Sequence, residues 1–221
     1  MDMSWVKRYN IGTVAYIWQG GQEGGAGTVD ALMGDVAPSG RLTDTIAITP
    51  EDYPCDDCFG DDIKNIHKED IYVGYRYFET FAKDKVLYPF GFGLGYTKFS
   101  QTVTGVAKDG DIITISVIAE NIGDYSGKDV VQVYFSAPQG KLGKPARELI
   151  AFKKTDVLSA GESQEINIAI NTIINLFFII FKPYYTFIIK IIRSTCNNIF
   201  LIINNNTSFI YFYINNFFNI I

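Results

Sequence analysis

Cys55 and Cys58 stand three residues apart in an acidic stretch, and Cys-x-x-Cys is the spacing of half a zinc site. No second pair exists: the remaining cysteine is Cys196 and the single histidine is His67. Two thiols and one imidazole among aspartates make a poor tetrahedral set, so no metal and no other cofactor is expected. The favoured reading is a pair of loop thiols that oxidise in an oxidising compartment. His67 has no serine or cysteine nucleophile in an elbow-like setting, so no catalytic triad is read. Glu23 lies in the glycine-rich run Gly20–Gly27, where a carboxylate could face a sugar or cap backbone amides; the capping role is favoured. That run carries neither a following Gly-Lys-Ser/Thr nor a GxGxxG register, so it is not a phosphate cradle. Glu69 and Asp70 are adjacent carboxylates. On a strand they point to opposite faces and cannot flank one scissile bond. Tyr72, Tyr75, Tyr77, Phe78, Tyr88, Phe90, Phe92 and Tyr96 could stack on sugars, but packing accounts for most of them. No catalytic, cofactor-binding or metal-ligating residue is assigned.

The elements that would carry these residues change character along the chain. Thr13–Trp18 is a β-branched and aromatic run that predicts a buried strand. After the glycine run, Thr28–Met33 predicts a helix, stopped by Gly34 and then Pro38-Ser39-Gly40. Strand, glycine turn and helix make one step of a βαβ crossover, whose parallel strands need neighbours. Residues 50–70 read as a polar excursion loop, Ile71–Phe78 as an aromatic-loaded strand, and Tyr88–Tyr96 as a tight glycine–aromatic turn region. From residue 101 short strands take over: Ile112–Ile118 and Asp129–Phe135 are the clearest, and Arg147–Phe152 and Gln164–Ile170 add two more. Five candidates lie between Gln101 and Ile170, against the roughly seven of an immunoglobulin-like sandwich.

The formal net charge is −5 at pH 7, and the three charges after Asn171 (Lys182, Lys190, Arg193) are all basic, so residues 1–170 carry −8. An acidic body without a basic stripe excludes a phosphate-backbone partner, so no nucleic acid is expected. Residues 171–221 contain no Gly, Ala, Val, Asp or Glu, the five residues whose codons begin with G, while Ile, Asn, Phe, Tyr and Lys make up 40 of the 51. Folding gives no reason to remove that set together. The tail reads as a non-native translation of AT-rich DNA, from an unspliced intron or a frameshift. A membrane anchor is the competing reading, and eight asparagines in the 28 residues from Ser194 make it a poor span. Met1–Trp5 lacks a basic region followed by an apolar run, so no secretory leader is read, and localisation stays open between secreted and cytoplasmic.

Several stretches together resemble glycoside hydrolase family 3, the β-glucosidase and β-xylosidase family. Asp2–Trp5 with Gly20–Gly25 is similar to the end of that family's α/β sandwich domain. Gly34-Asp35-Val36-Ala37-Pro38-Ser39-Gly40-Arg41-Leu42, Lys68–Phe78 and Tyr88–Thr97 resemble its recurring runs, with Gly95 where serine is usual. Asn121-Ile122-Gly123 through Tyr134, then Arg147–Lys154, resemble its appended fibronectin type III-like domain. The resemblance covers residues 1 to about 170. It implies an α/β fragment (an incomplete α/β sandwich) over 1–100, a truncated all-β immunoglobulin/fibronectin type III-like sandwich over 101–170, and the anomalous tail over 171–221. It also implies a carbohydrate substrate, a β-glucoside hydrolysed with retention by two carboxyl groups about 5 Å apart. In the family the nucleophilic aspartate belongs to a preceding barrel-like domain, and the acid/base glutamate lies upstream of the stretch that Gln22–Gly25 matches. Both would precede Met1, so the chain is expected to be inactive by itself. A non-catalytic β-sandwich module for binding carbohydrate or protein is the alternative function.

Overall fold

The computed structural model describes residues 1–58, 60, 63–64, 66–137, 139–141, 143–171, 186–192, 198–204 and 211–214. They form two units, one of Met1–Val36 with Gly40–Phe92 and one of Ala37–Ser39 with Gly93 onward.

The first unit holds helices α1 (Ser4–Arg8), α2 (Gly24–Met33) and α3 (Tyr75–Phe81) and the short antiparallel pair β1 (Ile46–Ala47) and β2 (Val86–Tyr88). Helix α2 starts inside the glycine run, one turn earlier than the sequence suggests. It ends at Gly34, whose φ of +89° is the left-handed geometry glycine adopts without strain. None of its residues is buried, and Val29, Leu32 and Met33 face solvent.

Two sequence expectations are corrected here. Thr13–Trp18 forms no strand and is exposed, because among the described residues no strand lies beside it to pair with its backbone. The strand expected over Ile71–Phe78 is instead a turn followed by α3. Phe78 and Ala82, four apart, fall on one face and bury themselves with Ala47 against Tyr53, Tyr77 and Val86. The aromatic content favours a strand locally, but this spacing of buried side chains belongs to a helix.

The second unit is the sandwich. Strands β3 (Phe99–Asp109), β4 (Ile112–Asn121) and β7 (Ser163–Asn171) form one antiparallel sheet in the order β3-β4-β7. Facing it, β5 (Val130–Ser136) pairs with β6 (Glu148–Lys154). Burial alternates along β4 and β7, as a half-covered strand requires. Ile113, Ile115, Val117 and Ala119 of β4, Ile166, Ile168 and Ile170 of β7, and Val131 and Val133 of β5 form the core. Full burial of each large aliphatic contributes roughly 1.5–3 kcal/mol. Central β5 is covered on both faces; on the second, Tyr134 Oη donates to Gln132 Oε1 and the Arg147 guanidinium lies 5.0 Å over the Tyr134 ring. A buried polar link ties β3 to β5: Gln101 Nε2 donates to Asp129 Oδ2 at 2.7 Å, and Asp129 N donates to Thr155 Oγ1 at 2.9 Å.

The five strands counted from sequence are all present. The tail, set apart from the sandwich in the sequence reading, adds three backbone strands to the larger sheet: β8 (Thr186–Ile192), β9 (Asn198–Asn204) and β10 (Tyr211–Ile214), giving the order β10-β9-β8-β5-β6. Val133–Ser136 of β5 pair with Ile188–Ile191 of β8. The Asn205-Asn206-Thr207 segment lies outside the described residues.

Candidate functional site

Three carboxylates are candidates for action on a sugar: Glu23, Glu69 and Asp70. Glu23 flanks the start of α2 and makes no side-chain cap bond, so the capping role favoured from sequence is absent. Glu69 and Asp70 sit in a turn, not on a strand, and Asp70 has a φ of +49°. The opposite-face reasoning for that pair therefore falls, because it assumed the strand that α3 replaces. His67 is exposed. Among the described residues no group of three or more His, Cys, Asp and Glu could hold a metal ion, and no helix is long and apolar enough to cross a membrane.

The aromatics pack on one another. Tyr75 stacks on Phe90 at 4.4 Å between centroids, Tyr72 meets Phe81 edge-on at 4.8 Å, and Tyr53 meets Phe78 edge-on at 5.6 Å. Edge and offset contacts of this kind are what ring quadrupoles favour. Tyr53 also holds the β1 approach, its Oη donating to Thr45 O and accepting from Ala47 N, each at 3.1 Å.

Two ion pairs brace the excursion loop. Lys85 Nζ lies 2.9 Å from Asp52 Oδ1, and its ammonium holds the Asp52 carboxyl below the usual carboxylate range while Asp52 raises Lys85. Lys68 pairs with Asp57 and lowers it in the same way. Burial, with Cys55 next to it, pushes the Cys58 thiol up. The sequence reading missed Lys68, which stands eleven residues from its partner and has no spacing signature.

Residues 1–96 match the glycosyl hydrolase family 3 C-terminal domain, and residues 129–173 match a fibronectin type III-like domain. The chain belongs to glycosyl hydrolase family 3. It is 48% identical over 170 residues to a β-glucosidase of Ruminococcus albus, a match spanning 77% of this chain and 18% of that protein. It is 47% identical over 189 residues to β-glucosidase A of Butyrivibrio fibrisolvens, spanning 77% of this chain and 23% of that one. Among solved structures, a β-glucosidase from Paenibacillus barengoltzii superposes with a TM-score of 0.79 at 42% identity, over 90% of this chain and 24% of that one. β-Glucosidase 3B from Thermotoga neapolitana, in complex with glucose, gives 0.73 at 34% identity, over 90% and 27%. The chain thus spans about a fifth to a quarter of these relatives and corresponds to their C-terminal part.

Two of the family-like runs meet in the structure. A Cβ at Gly95 would lie 2.7 Å from the Pro38 carbonyl oxygen, so glycine there lets the two backbones approach closely.

Proposed function

We propose that this chain supplies the C-terminal region of a β-glucosidase-type hydrolase, supporting the release of terminal β-glucosyl residues by carboxylates that the chain itself does not carry. The observation that carries this reading is the 48% identity to a β-glucosidase, which runs through 170 residues and so through both units. A free-standing sandwich module would explain the strands of the second unit but leave the match over residues 1–96 without a reason. The chemistry needs two carboxyl groups on either side of one glycosidic bond, and no residue here is assigned to either role.

The reading is tested by a chimera in which residues 1–171 replace the matching region of the Ruminococcus albus enzyme. The chimera should hydrolyse an aryl β-glucoside, while the present chain alone stays at buffer background. A folded but inert chimera would refute the proposed role. Turnover by the purified chain that disappears on Glu23→Gln or Glu69→Gln would refute the absence of catalytic residues.

A further inference from the structure

The Cys55–Cys58 turn is a site that the glycosidase reading does not use. Cys58 N donates to Cys55 O at 3.1 Å, closing an i to i+3 turn that continues as a 3₁₀ helix over Asp56–Cys58. Such a turn brings the two Cα atoms within about 7 Å, and in 3₁₀ geometry side chains at i and i+3 eclipse one another. A disulfide needs a Cα separation of about 4.4–6.8 Å. An α-helical or extended path through the same four residues would not stack the side chains in this way. Cys58 Sγ is already folded back over its partner, 3.5 Å from Cys55 O, and lies 3.4 Å from Ile66 O. Both cysteines are free thiols, each partly exposed, so a small reagent can reach them. The Lys68–Asp57 ion pair anchors the returning arm of the loop to the same turn.

We propose that Cys55 and Cys58 form a reversible dithiol/disulfide site, closed across this single 3₁₀ turn by a small-molecule disulfide and reopened by a small thiol. In the first step a Cys55 thiolate attacks one sulfur of the oxidant. Its S–S bond breaks, one small thiolate leaves, and a mixed disulfide forms on Cys55. The Cys58 thiolate then attacks the Cys55 sulfur, expels the second small thiolate and leaves the Cys55–Cys58 bond. Two thiol protons and two electrons pass from the protein to the oxidant, which becomes two thiols. Burial and then the neighbouring Cys55 push the Cys58 thiol up, with the Lys68 ammonium opposing them, which disfavours Cys58 as the first attacker; once Cys55 is capped in the mixed disulfide, its contribution to that shift is gone. Closure also removes the Cys58 S–H donor, so Ile66 O loses that contact while the Lys68–Asp57 ion pair remains.

The test uses the full chain carrying Cys196→Ser, equilibrated in glutathione redox buffers with and without urea, then alkylated and weighed. The folded chain should close the bond with an equilibrium constant at least tenfold above that of the urea-unfolded chain, giving a monomer lighter by two hydrogens. Cys55→Ser in the same background should stop at a mixed disulfide with glutathione on Cys58. Equal constants in the folded and unfolded chain would overturn the proposal, since the turn would then contribute nothing. So would a folded chain that yields only mixed disulfides or intermolecular dimers.

Discussion

Asn121, at the end of β4, is wholly buried and uses every hydrogen-bonding position its side chain has. Its Nδ2 donates to Tyr125 O and to Leu158 O, each at 2.8 Å, and its Oδ1 accepts from Thr97 Oγ1 at 2.6 Å and from Gly123 N at 3.1 Å. Two donors and two lone pairs are all that a primary amide offers. Asn121→Leu removes four bonds worth about 1 kcal/mol each, while Leu158 O keeps the bond it accepts from Gly127 N at 3.0 Å and is not orphaned. Tyr125 and Thr97 lie nearer water and recover part of their loss, so the expected cost is about 2–4 kcal/mol, a large share of a typical domain's stability. Asn121→Asp keeps the shape but turns an oxygen toward two carbonyl oxygens. Their lone pairs and the burial both disfavour the charged form, so the folded carboxyl titrates above its unfolded value of about 3.9. The neutral acid, dominant below that value, restores one donor. The Asp variant's deficit should therefore be smaller at pH 4 than at pH 7, widening as pH rises through the window between the two values. Urea unfolding followed by far-ultraviolet circular dichroism, with amide exchange in β4 and β7, measures both effects. A cost below about 1 kcal/mol at pH 7, or an Asp deficit unchanged between the two pH values, would refute the four-bond account.

Four further outcomes are expected. Ile166→Ala, at a core position paired with Val117, should cost about 2–5 kcal/mol in urea unfolding; Ile118→Ala, on the outer face of the same sheet, should cost less than about 1 kcal/mol, and equal losses would contradict the assigned faces. The Asp52–Lys85 pair contributes stability that is full above the ordinary aspartate value near 3.8 and is lost as pH falls from there through the depressed Asp52 value; at the alkaline end it is full below 10.5 and is lost as pH rises from there through the elevated Lys85 value. Carboxyl NMR titration of Lys85→Met should show Asp52 returning upward, and an unmoved midpoint would discount the pair. Gly95→Ser should lower the melting temperature because its Cβ meets Pro38 O at 2.7 Å, and an unchanged melt would show that this backbone yields freely. Amides of α2 should exchange faster than those of β4, since α2 buries none of its residues; comparable protection would mean that its apolar face is covered in solution.

The sandwich was legible because its strands repeat every second residue. Ile113, Ile115, Val117 and Ala119 point one way along β4, and Ile166, Ile168 and Ile170 do so along β7, so pattern and burial coincide. The first unit was harder to read, because its local signals depend on neighbours. Thr13–Trp18 has strand composition but, among the described residues, no partner strand beside it, and composition cannot supply one. Around α3 the aromatic residues fit either period, and the decision fell to where Phe78 and Ala82 could bury themselves. In the sequence Asn121 stands out only as part of a family-like Asn-Ile-Gly run. Nothing local announces that its amide reaches Leu158, 37 residues away. The cysteine pair was visible as a spacing, but the 3₁₀ turn that aligns the two side chains was not, because Pro54-Cys55-Asp56-Asp57-Cys58 is compatible with several turn types.

In the tail, composition and topology bear on different questions. The joint absence of Gly, Ala, Val, Asp and Glu from residues 171–221 is a property of codons, so we read the segment as a non-native translation. Its strands lie along β5 all the same. An edge with unpaired N–H and C=O groups accepts any extended segment of high β-propensity, and a tail dominated by isoleucine and phenylalanine, with three charges in all, offers such segments repeatedly. Backbone pairing of this kind carries no sequence information, whereas the buried alternation of β4 and β7 does, because a shift of one residue there would turn Ile115 and Ile168 out of the core. The β5–β8 pairing is thus explained by the demand of the β5 edge and does not weigh against a non-native origin for the chain that meets it.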